Sequence, residues 1–243
     1  LMMRARALTN DASRGSNRMA RDMLERATQM APGFAEAYAE LADAYFQRAA
    51  FGWSEFAQID LDTAIRLAQK AIELDEGSVL AHSVLARAYT ATLKYDLGLA
   101  ESERALQINP SNAEVLVARA AVLLWTGHVD DSIAAAELAT RLNVNIGPEA
   151  ALNLGIAYLL KRRYADAVRL LEAARARHPT YPLLDLPLAA AYAELGRTSD
   201  AAEAAERATR KNPHFELSSF GSRFQDPTLQ RRVEDSLRKA GFN

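Results

Sequence analysis

Six alanines set the register of this chain. Ala27, Ala71, Ala105, Ala139, Ala174 and Ala208 follow one another at intervals of 44, 34, 34, 35 and 34 residues. Seven places before each stands a small residue, in order Ala20, Ala64, Gly98, Ser132, Ala167 and Ala201. Five places after stand Pro32, Glu76, Pro110, Val144, Pro179 and Pro213. An aromatic or leucine recurs at Tyr45, Tyr89, Leu123, Tyr158 and Tyr192, with Leu41, Leu85, Leu154 and Leu188 four residues ahead of the rings. A small residue follows each of those leucines (Ala42, Ala86, Gly155, Ala189). A unit this short cannot bury its apolar side alone, so it must stack on copies of itself. Small residues let helix backbones approach, and the rings and leucines fill the space beside the crossing. Proline has no N–H and disfavours helix at the residue before it, so it ends a unit. The pattern predicts pairs of antiparallel helices, with units beginning near residues 35, 79, 113, 148 and 182.

Capping residues agree with this map. Asn109-Pro110-Ser111-Asn112 and Asn212-Pro213 read as tight turns between units, and Ser16 to Met30 as the second helix of an incomplete first unit. Asp130, Asp166 and Asp200 stand near the starts of second helices, where a carboxylate suits the helix dipole. Two stretches break the period. Between Tyr45 and Ala64 stand ten more residues than it allows, Phe46, Phe51, Trp53 and Phe56 among them; a lengthened helix and an aromatic-rich loop are expected. After Pro213 the repeat stops, and Phe215, Phe220 and Phe224 follow. Asp226-Pro227 then reads as an N-cap and first helical residue. Leu229, Val233 and Leu237 make one apolar stripe, and Gly241 closes the helix. Such a helix is expected to cap the last exposed face of the stack.

A 34-residue period with these residue types resembles the tetratricopeptide repeat (TPR), over nearly the whole chain. The resemblance implies an all-α, right-handed TPR superhelix: a partial N-terminal unit in residues 1–34, five repeats in 35–213, and a tail with capping helix in 214–243. A narrower resemblance rests on Ala20–Pro32, Tyr38–Trp53 with its Gly52-Trp53, and Phe224–Phe242. These are similar to the C-terminal TPR module of bacterial class III adenylate/guanylate cyclases, and to modules that follow the winged-helix domain of some membrane-anchored regulators. That likeness implies a sensory or regulatory role, with an output domain upstream of Leu1. It places the module either in the cytoplasm or on the periplasmic side of a membrane-anchored parent.

Composition removes several other classes. The 243 residues include no cysteine, so disulfide scaffolds, thiol nucleophiles and cysteine-ligated zinc are excluded. A net charge of −2 supplies no global basic field for nucleic acid. The basic runs at Arg4–Arg26 and Lys161–Arg163 read as solvated helix faces and ends. No apolar run reaches the ~18 residues of a membrane span. No HExxH, GxSxG or GxxxxGK[ST] motif occurs, and His82, His128, His178 and His214 fall in different units. Asp60 and Asp62 read as a solvated first turn of helix. No catalytic residue, metal site or cofactor is expected, and any cyclase activity would lie upstream.

In the family, first helices line the concave face, and the matching places here change character along the chain. The N-terminal half is mixed and polar, with Glu36, Asp43, Gln47, Ser83 and Arg87 beside Phe46 and Leu80. The C-terminal half is apolar nearly throughout, with Val117, Leu124, Trp125, Leu152, Ile156, Leu159, Leu160, Leu183 and Leu186. Chaperone-binding relatives hold a carboxylate there with Lys, Arg and Asn, which these residues cannot do. Three covers suit an apolar groove: an amphipathic helix of a partner protein or peptide, a second copy in a homodimer, or the chain's own Phe215–Phe224 tail. Phe51, Trp53 and Phe56 form a second candidate interface. A scaffold or adaptor of an envelope or secretion assembly is the alternative role.

Overall fold

A computed structural model describes residues 1–11, 13–143, 147–211, 217, 220 and 223–242. Among them are thirteen α-helices and no strand. Val144, Asn212, Pro213, His214 and Phe215 lie outside the described residues. The chain divides into two compact units, Leu1–Ser111 and Asn112–Asn243.

The first unit holds three hairpins: α1 (Met2–Asn10) with α2 (Arg14–Met30), α3 (Ala35–Ala50) with α4 (Ala57–Leu74), and α5 (Val79–Ala91) with α6 (Tyr95–Ile108). The stretch ahead of α2 is therefore helical as well, with Ala5 and Thr9 buried against the hairpin core. The second unit holds α7 (Ala113–Trp125) with α8 (Val129–Leu142), α9 (Pro148–Leu160) with α10 (Tyr164–Arg177), α11 (Asp185–Glu194) with α12 (Thr198–Lys211), and a last helix, α13 (Pro227–Lys239). Within each unit the first helices also touch one another, α3 with α5, α7 with α9 and α9 with α11, and so share one face. This is the all-α TPR architecture.

The register alanines sit where helices cross. Ala71, Ala105, Ala139, Ala174 and Ala208 are at most 2% exposed, and Ala20, Ala64 and Ala167 are fully buried. A Cβ on Gly155 would lie 2.7–2.9 Å from the Leu171 side chain, so the close approach of α9 and α10 requires glycine there. Asn112 caps α7 by accepting from the Glu114 and Val115 amides at 2.8 and 3.2 Å. The insertion is absorbed as three extra residues in α3, four in α4 and three in the loop, relative to α5 and α6.

The repeated tyrosines do more than fill space. Tyr45 donates to Glu25 at 2.8 Å, Tyr158 to Glu137 at 3.1 Å, and Tyr192 to Glu172, while Tyr89 accepts from Gln69 at 3.1 Å. Each partner lies two places before a register alanine, on the second helix of the preceding hairpin. Arg21, Lys94, Arg163 and Arg197 stand over the same rings at 5.2, 5.8, 4.1 and 4.4 Å. Burial and the Glu172 carboxylate push the Tyr192 phenol up to about 12.

Candidate functional site

In the first unit the shared face is polar and cross-linked. Arg6 on α1 donates to Glu36 and Glu40 on α3, both at 2.5 Å. Burial pushes the Glu40 carboxyl up against the opposing pull of that arginine. Arg87 on α5 donates to Asp43 on α3, and its guanidinium lies 4.6 Å over the Phe46 ring. Gln47 donates to the other Asp43 oxygen at 2.8 Å. The buried Gln47 Oε1 and Ser83 Oγ have no hydrogen-bond partner among the described residues.

One expectation here is corrected. Asp60 is not a solvated first turn: it is 4% exposed, paired with Arg48 at 3.2 Å, and its Oδ2 is without a hydrogen bond. The longer α3 and α4 draw it inward, because Arg48 lies in the extra turn. The Phe51–Phe56 loop, the second candidate interface, divides by burial. Phe51 is buried, Trp53 is half-buried and packs edge-on to Phe51 at 4.9 Å, and Phe56 alone of the three is open, at 63% exposure.

In the second unit Val117, Leu124, Leu152, Ile156, Leu159, Leu160, Leu183 and Leu186 are buried and Trp125 is half-buried. The fold brings all but Leu183, which lies in the turn before α11, onto consecutive first helices, and the face is not left open. The tail lies on this face. Phe224 and Phe220 approach Trp125 with ring centroids at 4.6 and 5.6 Å, the latter edge-on, and the Gln225 amide donates to the Trp125 carbonyl at 2.8 Å. Asp226 caps α13 through the Thr228 amide at 2.8 Å. Leu229, Val233 and Leu237 are buried on the inner side of that helix.

The polar edge of α13 is tied down as well. Arg232 donates to the Leu160 carbonyl at 3.3 Å. Ser236 donates to Glu194 at 2.7 Å, and Lys239 reaches both Glu194 oxygens at 3.0 and 2.9 Å. Burial pushes the Glu194 carboxyl up, but Lys239 and Ser236 outweigh it and leave the group below its usual range. Among the described residues α13 packs on α11 and α9 and not on α12. It lies on the first-helix face of α9 and α11.

The described histidines, His82, His128 and His178, have structural surroundings. His82 bridges Glu101 at 2.6 Å and the Glu76 carbonyl at 3.1 Å, and His128 bonds Thr126 at 3.0 Å. His178 ends α10, its imidazole held down by burial. Sequence reasoning missed Asp185, which is fully buried and takes Arg207 at 3.0 Å and Lys211 at 2.8 Å. Nothing in its local pattern separates it from a solvated helix start. Among the described residues no group of three or more His, Asp or Glu could hold a metal, and no helix is long and apolar enough to cross a membrane.

Two family models match, both described as tetratricopeptide repeat, over residues 117–182 and 158–219. No curated protein matches the sequence. Among solved structures, the chain is similar to a TPR protein of Thermus thermophilus (TM-score 0.58, 18% identity, 80% of this chain and 99% of that one). It is similar also to PilW, a type IV pilus biogenesis factor (0.56, 20%, 83% and 88%). A third likeness is to the APC/C hetero-tetramer Cut9–Hcn1 (0.69, 12%, 98% and 46%). At these identities the likeness concerns the fold.

Proposed function

Taking the chain as a TPR solenoid that serves protein interaction, we propose that it is the sensory or regulatory C-terminal module of a bacterial nucleotide cyclase. The observation that carries the interaction part is the tail itself. The face of α9 and α11 already holds an amphipathic helix, seated through Leu229, Val233 and Leu237 with a polar edge on Glu194. A surface that accepts one such helix has the shape and chemistry to accept another. Partner binding or self-association would bias the pairing of upstream output domains, and sites of the class III type resemble one another in forming between two such domains.

The same face serves a non-enzymatic scaffold or adaptor equally well, as in an envelope or secretion assembly, or the sensor of a winged-helix regulator. PilW, with the same fold and a role in pilus biogenesis, keeps that second reading beside the first. Fusing this chain after a dimerisation-dependent cyclase domain separates them. Turnover that changes with the oligomeric state of the module, read by light scattering on the same samples, supports the regulatory reading. Turnover indifferent to the module favours the scaffold.

A further inference from the structure

We propose that the tail Phe224–Phe242 is an exchangeable resident of the first-helix face. The partner that takes its place is an amphipathic helix of the same chemistry: apolar residues at i, i+4 and i+8, with a cation two residues after the last of them to meet Glu194. The proposal rests on reading that face as helix-binding.

Three features carry it. First, α13 meets α9 and α11 but not α12, the helix it follows in the chain, so it can leave without unstacking a hairpin. Fifteen residues separate Lys211 from Pro227, Phe220 against Trp125 among them. Second, its seat is incomplete along one side. A cleft of about 290 Å³ stays open between Arg162 and Tyr164, after α9, and Arg232, Val233 and Lys239 of α13. Third, the polar contacts select for charge. Glu194 has 12% of its side chain exposed, and its carboxylate is met by Ser236 at 2.7 Å and by Lys239 at both oxygens. A helix bringing an acid, or no cation, to that place would leave the charge unpaired.

Tethering gives the tail an effective concentration on the order of millimolar, so it outcompetes any dilute helix of equal intrinsic affinity. A ligand's apparent affinity therefore falls by the fraction of molecules whose tail is open. Anything that loosens the tail raises that fraction.

The test uses the full chain and a labelled synthetic peptide of residues 224–242. Wild type should bind it weakly, and Val233→Asp/Leu237→Asp at least ten times more tightly, with helicity of the hairpins retained. In that background Glu194→Lys should abolish binding, and a peptide carrying Lys239→Glu should restore it. Should the double variant lose its hairpin helicity, Lys239→Glu in the full chain is the gentler way to free the tail. Tight binding to wild type would place the peptide elsewhere and overturn the proposal. A tail shown by proteolysis to be free, beside a face that still ignores the peptide, would overturn the helix-binding reading too. A tail that stays protease-resistant in both variants overturns exchange alone. A wild-type dimer that trades tails between copies would make a second copy the occupant, against the partner helix proposed.

Discussion

In the unit Leu1–Ser111 the first helices meet through charge: Arg6 with Glu36 and Glu40, Arg87 with Asp43. At the places matching Asp43 and Gln47, the unit Asn112–Asn243 carries Ala121 and Trp125, Ile156 and Leu160, Ala190 and Glu194. One hairpin architecture thus supports two kinds of inner face. The charged face ties its own helices together through directional bonds, although Gln47 Oε1 and Ser83 Oγ stay without one. The apolar face has no internal partner for its side chains, and water is a poor one, so a further element must lie on it. The tail is that element. What differs between the units is whether the first helices bind one another directly or hold a further element.

The comparison can be broken most sharply at Trp125. Phe224→Ala should remove about 3–5 kcal/mol of packing from the tail. Amide exchange should then lose its protection in α13 and leave α3 and α5 untouched; unchanged protection in α13 would mean the ring cluster does not hold the tail. In the other unit, Asp43→Ala should cost about 1.5–3 kcal/mol, because Arg87 loses a charged acceptor across the α3–α5 contact. A melting temperature equal to wild type would show that the polar face does not hold the hairpins together. Ala174→Leu should destabilise the second unit by about 1–3 kcal/mol through overpacking between helices, read in denaturant midpoints.

The smallest effect depends on pH. Both His82 nitrogens face acceptors, Glu101 and the Glu76 carbonyl, so the doubly protonated ring satisfies the site. The Glu101 bond raises its pKa against the opposing effect of burial, helped by the Glu76 carbonyl, with Arg104 a weaker opposing charge. A folded pKa above the unfolded value of about 6.5 gives stability fully present below that value and lost as pH rises through the folded pKa. The difference in melting temperature between wild type and His82→Gln should be larger at about pH 5.5 than at about pH 8.5. A difference that grows with pH would refute this protonation state.

The helices were legible because packing at a crossing leaves a periodic mark. Ala71, Ala139 and Gly155 occupy their places for reasons of volume alone, and volume is written in the residue type. The apolar run on α7, α9 and α11 was legible on the same terms, as was the tail helix from its Asp-Pro start. Where the tail goes was not, since an amphipathic stripe states that it needs a partner without saying which. Asp60 and Asp185 escaped for a related reason. A lone acid at a helix start reads as solvated until the arginine or lysine that meets it, 12 to 26 residues away, is brought alongside. The Tyr–Glu contacts were there to be read, because Glu25, Glu137 and Glu172 share one place in the period.

The order of elements along the chain has a consequence for synthesis. The face on α9 is complete at Leu160, but the helix that shields it does not begin until Pro227. At translation rates of about 5–20 residues per second, that delay lasts several seconds. For that interval the nascent chain presents Trp125, Leu159 and Leu160 to whatever is near the ribosome. Early folding of this protein is therefore a period of stickiness that ends only when the tail arrives, and a truncation before Phe224 would make it permanent.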